Sequence, residues 1–185
     1  MTLLRVRAKL THSKTALKQS LAGVGELAQI SKAVLTHIDQ AIKLIDNKLI
    51  NCISHPGYID DYRRCQTIKG IGPINAAALV AFYHRGEFRK ADAFVSFMGL
   101  DVRVRESGRF KGQRKLTKKG NPEIRRLLFN AARAGARTAQ WKPYYDSLRE
   151  RGLTTTAAAV AIARKMAKLA FALMGDQTEY QTKMA

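Results

Sequence analysis

The sequence predicts a mainly α-helical protein: a long, coiled-coil-like N-terminal helical segment, then a compact helical domain carrying a glycine turn and a small basic β-hairpin. Three observations carry this. Apolar residues recur every three or four positions over most of the chain. Helix punctuation recurs beside those runs, as Gly70-Ile71-Gly72-Pro73, Asn121-Pro122-Glu123 and Gly175. The period changes from helical to alternating in one place only, Asp101–Leu116. The chain divides on this reading into a helical linker over residues 1–57, a domain over 58–176 and a flexible tail over 177–185.

Thr2–Leu21 reads as a basic helix closed at Gly23 and Gly25. Leu27, Ile30, Val34, Ile38, Ile42, Ile45, Leu49 and Ile53 then form one apolar stripe on a long helix. That stripe suits either docking on the protein's own domain or a dimerising coiled coil. Ser54-His55-Pro56-Gly57 breaks the helix, and a short polar helix follows. Asp60 and Asp61, adjacent on it, diverge by about 100° and are expected at the surface. Gly70-Ile71-Gly72 turns the chain, and Pro73 opens the next helix, where its missing N–H costs nothing. Phe94 and Phe97 read as core of the helix after that, closed by Gly99.

Val102 and Val104 alternate with Arg103 and Arg105, which is a strand pattern. Ser107-Gly108 offers a turn and Arg109–Leu116 a return strand. Asn121 is an N-cap, Pro122 the first helical residue and Glu123 a carboxylate near the positive end of the dipole. That helix runs to about Arg137 with Ile124, Leu127, Leu128, Ala131 and Ala132 buried. Trp141–Arg151 and Thr154–Met174 complete the helices, the latter Ala-rich.

Charge narrows function. The 185 residues carry a formal net charge of +19 with an ordinary apolar fraction of 46%. Between Arg103 and Arg126, ten Lys or Arg stand against only Glu106 and Glu123. Such a field attracts phosphate backbones before any specific contact forms, so nucleic acid is the expected partner. A membrane surface fits poorly, because the charge sits partly in a Gly-rich loop rather than on one amphipathic helix. No signal peptide or spanning run is present. Cys52 and Cys65 make neither a disulfide framework nor a zinc site, and both read as buried thiols. No cluster of carboxylates suggests a metal.

Two constellations could bear chemistry. The Gly70-Ile71-Gly72 turn resembles the hairpin of helix-hairpin-helix modules, whose glycines let the backbone approach a phosphate; it serves equally as a plain interhelical turn. In the basic segment Arg103, Arg105, Arg109 and Lys118 could stabilise charge on a pentacoordinate phosphorus, with Ser107 as nucleophile and Gly108 allowing close approach. From residue types alone Ser-Gly is also a common turn dipeptide. His84, the nearest upstream imidazole, reads as a solvated loop side chain.

The order T-I-K-G-I-G-P-I-N-A, F-R-K-A-D-A-F-V-S-F-M-G-L, S-G-R and L-T-K-K-G-N-P-E-I-R-R-L-L-F-N-A-A closely resembles the C-terminal, serine-bearing domain of insertion-sequence transposases of the IS-one-ten type, relatives of the Piv/MooV DNA invertases. The resemblance runs to about Met174. It implies a DNA recombinase whose N-terminal RuvC-like domain holds Mg²⁺ on carboxylates, and in which a bridge RNA names donor and target DNA. It places Ser107 at the nucleophile and Lys118, Gly120, Asn121 and Arg125 in the segment that follows. With the basic residues Lys111, Arg114, Lys115 and Lys119 and the Gly70–Gly72 turn, these form the expected nucleic-acid surface. The RuvC-like part is expected to be missing from this chain, which therefore holds no cofactor of its own. Expected partners are DNA, a guide RNA and a second copy through the N-terminal helices; the expected location is the cytoplasm, at the bacterial nucleoid. The alternative is a non-catalytic nucleic-acid-binding module, an RNA or DNA holder or a truncated relic.

Overall fold

The computed structural model describes residues 2–181 apart from 104–105, 108–109 and 112–114, and side chains outside residues 103–115. It is mainly helical and divides into two compact units, Met1–His55 and Pro56–Ala185.

In the first unit, helices α1 (Thr2–Ser20) and α2 (Ala28–Ile53) form a hairpin. Gly23, at φ 87°, supplies the left-handed residue that ends α1, and one 3₁₀ turn leads into α2. Two ion pairs fix the antiparallel register: Arg7 Nε to Asp46 Oδ1 at 2.5 Å, and Lys14 Nζ to Asp39 at 2.5 Å. Along α2, Leu49 and Ile53 are buried and Ile38, Ile42 and Ile45 half-buried. The first three members of the stripe, Leu27, Ile30 and Val34, stay exposed, as does Leu44. One neighbouring helix covers only part of so wide an apolar face.

The second unit is built around α8 (Thr155–Gly175), which packs against α3 (Ile59–Gln66), α5 (Ala91–Phe97), α6 (Pro122–Gly135) and α7 (Lys142–Glu150). Ala158, Ala159, Ala163, Ala167 and Ala170 are all buried, so small side chains let its neighbours approach closely. Thr154 caps α8, its hydroxyl accepting from Ala157 N. Helix α4 (Pro73–Tyr83) is buried along most of its length and packs on α3, α6 and α8. Thr178 N donates to Leu173 O and Tyr180 N to the Thr67 hydroxyl, tying the chain after α8 back to the unit.

Several side chains depart from their sequence assignments. Asp61 is 8% exposed rather than a surface residue, because Arg64 and His84 both donate to it. His84 is correspondingly a hydrogen-bond partner of Asp61 and not a free loop side chain. Cys52 is exposed, lying outside the covered face of α2; Cys65 is buried. Phe97 is 42% exposed rather than core. It is the last residue of a seven-residue helix whose inward face is occupied by Phe94 and Val95.

Candidate nucleic-acid interface

The cation-rich segment leaves the helical body and returns to it at one place, and the backbone there is unusually close. Gly99, at φ 71°, ends α5: its N–H donates to Ser96 O, and Leu100 N donates to Val95 O. A Cβ on Gly99 would stand 2.6 Å from Lys119 O and 2.8 Å from an Arg125 guanidinium nitrogen. One on Gly120, at φ 144°, would stand 2.7 Å from Phe97 O and 2.9 Å from Gly99 N. Only glycine at both positions permits this contact.

Side chains reinforce it. Arg125 NH1 donates to Gly120 O at 2.9 Å. Thr117 N donates to Asp101 O at 3.0 Å, and the Thr117 hydroxyl donates to the Asp101 carboxylate. Beyond them, β1 (Val102–Arg103) pairs antiparallel with β4 (Lys115–Leu116), Val102 opposite Leu116. Further in, β2 (Glu106–Ser107) pairs with β3 (Phe110–Lys111), Ser107 opposite Phe110. Both ends of the segment are therefore fixed to one another before either reaches a helix.

The return limb enters α6 through its cap. The Asn121 side chain accepts from Glu123 N at 2.8 Å and Pro122 takes the first helical position. Glu123, 6% exposed, receives Arg126 Nε and NH2 at 2.7 and 2.6 Å, and this bidentate bond holds the guanidinium above its ordinary pKa. Arg126 is thus spent on structure. Lys118 and Lys119 are exposed, Lys118 at a left-handed φ of 55°, and neither they nor Arg125 meets a carboxylate among the described ion pairs.

The glycine turn sits elsewhere on the unit. Gly70, at φ 97°, makes its close approach to protein: a Cβ there would stand 2.8 Å from Ala131 O and 2.9 Å from Gly135 Cα. Trp141 Nε1 donates to Lys69 O at 2.9 Å and pins the turn beside Gly135. Ile71 is buried. Gly72, the N-cap of α4, faces open space, and no side chain caps that helix end.

Of the expected surface, Arg105, Gly108, Arg109 and Arg114 lie outside the described residues, and for Arg103, Ser107, Lys111 and Lys115 only the backbone is described. Lys118, Lys119, Gly120, Asn121 and Arg125 come together at the clasp, whereas Gly70 packs against α6, Ile71 is buried and Gly72 faces open space. Sequence reasoning missed the Asp61 cluster. Arg64 NH1 lies 2.9 Å from Oδ1, His84 Nε2 lies 2.7 Å from Oδ2, and Tyr58 packs edge-on against the imidazole. The Asp61–Arg64 spacing of three residues was a usable signal; the 23-residue separation from His84 left none.

Fold and geometry define a basic helical domain with a cation-rich segment clasped at both ends. Residues 62–146 match the family described as Transposase IS116/IS110/IS902 family. Over 165 residues the chain is 28% identical to a protein of Pseudomonas aeruginosa named "Probable family 20 transposase", covering 86% of this chain and 48% of that protein. It is 31% identical over 129 residues to the transposase for insertion sequence element IS1111A of Coxiella burnetii, covering 66% of this chain and 35% of the relative. An uncharacterised protein of insertion element IS110 from Streptomyces coelicolor is 31% identical over 121 residues, 64% of this chain and 30% of the relative. These matches support a transposase domain of the IS110/IS116 type. The chain spans between about a third and a half of the length of these relatives.

Proposed function

We propose that this chain is the DNA-binding, serine-bearing part of a transposase, with Ser107 as nucleophile for strand cleavage and exchange. The observation that carries the reading is the Gly99–Gly120 clasp. It anchors both ends of a segment holding most of the chain's densest positive charge, with one serine between them. Fixing both ends lowers the entropy cost of bringing the segment to a phosphodiester, and its charge supplies what electrostatic stabilisation of a phosphoryl transition state requires.

In the proposed step the Ser107 hydroxyl oxygen attacks a backbone phosphorus. The oxygen–phosphorus bond forms as one bridging P–O bond breaks, the hydroxyl proton leaves to water, and the departing alkoxide is reprotonated. Arg103, Arg105, Arg109 and Lys118 stabilise the charge on the equatorial oxygens. The remaining cations, Lys111, Arg114, Lys115, Lys119 and Arg125, hold flanking phosphates.

No group of three potential metal ligands converges among the described residues. The Mg²⁺ that the reading requires belongs on a RuvC-like domain supplied with it. A guide RNA on the same basic surface, and action at the nucleoid, are part of the proposal. So is a second copy docked on α2, where Leu27, Ile30, Val34 and Leu44 stay exposed.

The test is a covalent protein–DNA adduct formed when a RuvC-like domain is supplied in trans. Ser107→Ala is expected to abolish the adduct and keep DNA binding. Normal recombination by that variant overturns the assignment.

A further inference from the structure

The second unit buries almost every large apolar side chain. Of its described residues only Tyr58 and Phe97 remain exposed, and Tyr58 already packs on His84. Phe97 has no such cover. Its ring is nevertheless held firmly from behind: Phe88 lies 5.2 Å away, tilted by 55°, and Phe82 lies 5.9 Å away edge-on. Phe88 leans in turn on Phe94, and Phe94 on Phe171 of α8, so a chain of rings ties the surface ring to the central helix.

The backbone of that residue is also specifically placed. Phe97 O is the atom closest to the missing Cβ of Gly120, so this residue belongs to the clasp itself. Lys118 and Lys119, with no carboxylate among the described ion pairs, precede Gly120 on the limb that meets it, and Arg125 reaches Gly120 O from α6.

We infer that Phe97 is a stacking platform for an unpaired nucleobase, and that the nucleic acid gripped at the clasp is opened there rather than fully paired. The inference rests on the reading of the chain as a nucleic-acid binder and adds the state of the bound strand. An aromatic face beside a cationic groove is how proteins hold single strands without reading their sequence, because every base has a π-face. A preformed ring adds an advantage, since little rotamer freedom is left to lose on binding.

A protein partner suits the surface less well. Protein interfaces need a contiguous apolar core; Phe97 follows the exposed Ser96, and its carbonyl meets Gly120, which follows the exposed Lys118 and Lys119. One exposed ring, on a residue whose carbonyl meets the limb that carries Lys118 and Lys119, suits one base and its flanking phosphates.

The test compares two oligonucleotides with the full chain, a fully paired duplex and the same duplex with one unpaired 2-aminopurine. Wild type is expected to bind the second roughly tenfold more tightly and to quench its fluorescence, in line with the usual worth of one base–aromatic stack. Phe97→Ala should lose both the preference and the quenching while keeping duplex affinity within about twofold; Phe97→Trp should keep both. Binding without preference in wild type overturns the platform and leaves the nucleic-acid reading standing. An equal loss on both oligonucleotides in Phe97→Ala, or loss of self-association in its place, also overturns it. No binding of either oligonucleotide by wild type overturns the platform and the reading beneath it.

Discussion

Gly70 and Gly135 meet backbone to backbone. A Cβ on Gly70 would stand 2.9 Å from Gly135 Cα, and one on Gly135 would stand 2.5 Å from the Met166 methyl and 3.3 Å from Lys69 O. The turn between α3 and α4 is seated in α6 by glycine on both sides, with Trp141 closing the contact. Gly72, two residues on, meets nothing. The two glycines of one motif therefore have different jobs.

Gly70→Ala combines a left-handed φ with a backbone clash, and should cost about 2–4 kcal/mol of unfolding free energy. Gly72→Ala removes a glycine at an extended N-cap with free space, and should cost about 1 kcal/mol or less. Trp141, the only tryptophan, reports both in denaturant titrations. If any phosphate contact is made by this turn, Gly72→Ala is the variant that weakens binding at little cost in stability. Equal destabilisation by the two substitutions would refute the division of roles.

The cysteines should separate cleanly. Burial, and secondarily the Asp61 carboxylate, push the Cys65 thiol up to about 12 from its ordinary 9.0, while Cys52 is exposed. A thiol reagent near pH 8 is expected to modify one cysteine in the native chain and two after unfolding. Because the folded state keeps the Cys65 proton more tightly, its contribution is fully present below about pH 9 and is lost as pH rises toward 12. Wild-type stability should fall more steeply than that of Cys65→Ala over that window. Parallel pH profiles would refute it.

These residues also mark what the sequence could and could not reveal. The start of α6 was readable because Asn121, Pro122 and Glu123 each act locally, on backbone within three residues. The buried face of α6 followed from its period. Phe97 was misplaced because periodicity alone treats i and i+3 as one face, and a seven-residue helix buries a narrower arc. Asp61 was misplaced because its burial depends on an imidazole supplied by the end of another helix. The Arg7–Asp46 and Lys14–Asp39 pairs that set the α1–α2 register join residues 39 and 25 positions apart, beyond any local pattern. At the clasp the sequence supplied the residues but not their division between phosphate contact and backbone contact.

The Asp61 cluster gives a stability prediction. Asp61→Ala strands the Arg64 and His84 donors and removes a nearly buried carboxylate, at a cost of about 1–3 kcal/mol. His84→Ala leaves Asp61 still joined to Arg64 and should cost less. A double-mutant cycle on Asp61 and His84 is expected to return a coupling of at least about 0.5 kcal/mol, and strict additivity would show that the pair is not a working contact.

The clasp separates charge from positioning among its cations. Lys118 and Lys119 are exposed and make no described ion pair, so each should act on nucleic acid as one phosphate contact. Replacing either with Ala should weaken binding modestly and lower the salt slope by about 1. Arg125 also bonds Gly120 O, at the point where Gly99 and Gly120 touch. Arg125→Lys keeps the charge and loses the planar fork that reaches this carbonyl. It is expected to preserve the salt slope yet weaken binding more than Lys119→Ala does, because the anchored ends of the segment loosen. Arg125→Ala should show both effects together. Binding by Arg125→Lys indistinguishable from wild type would mean that Arg125 contributes charge alone, and that the glycine contact holds the clasp without it.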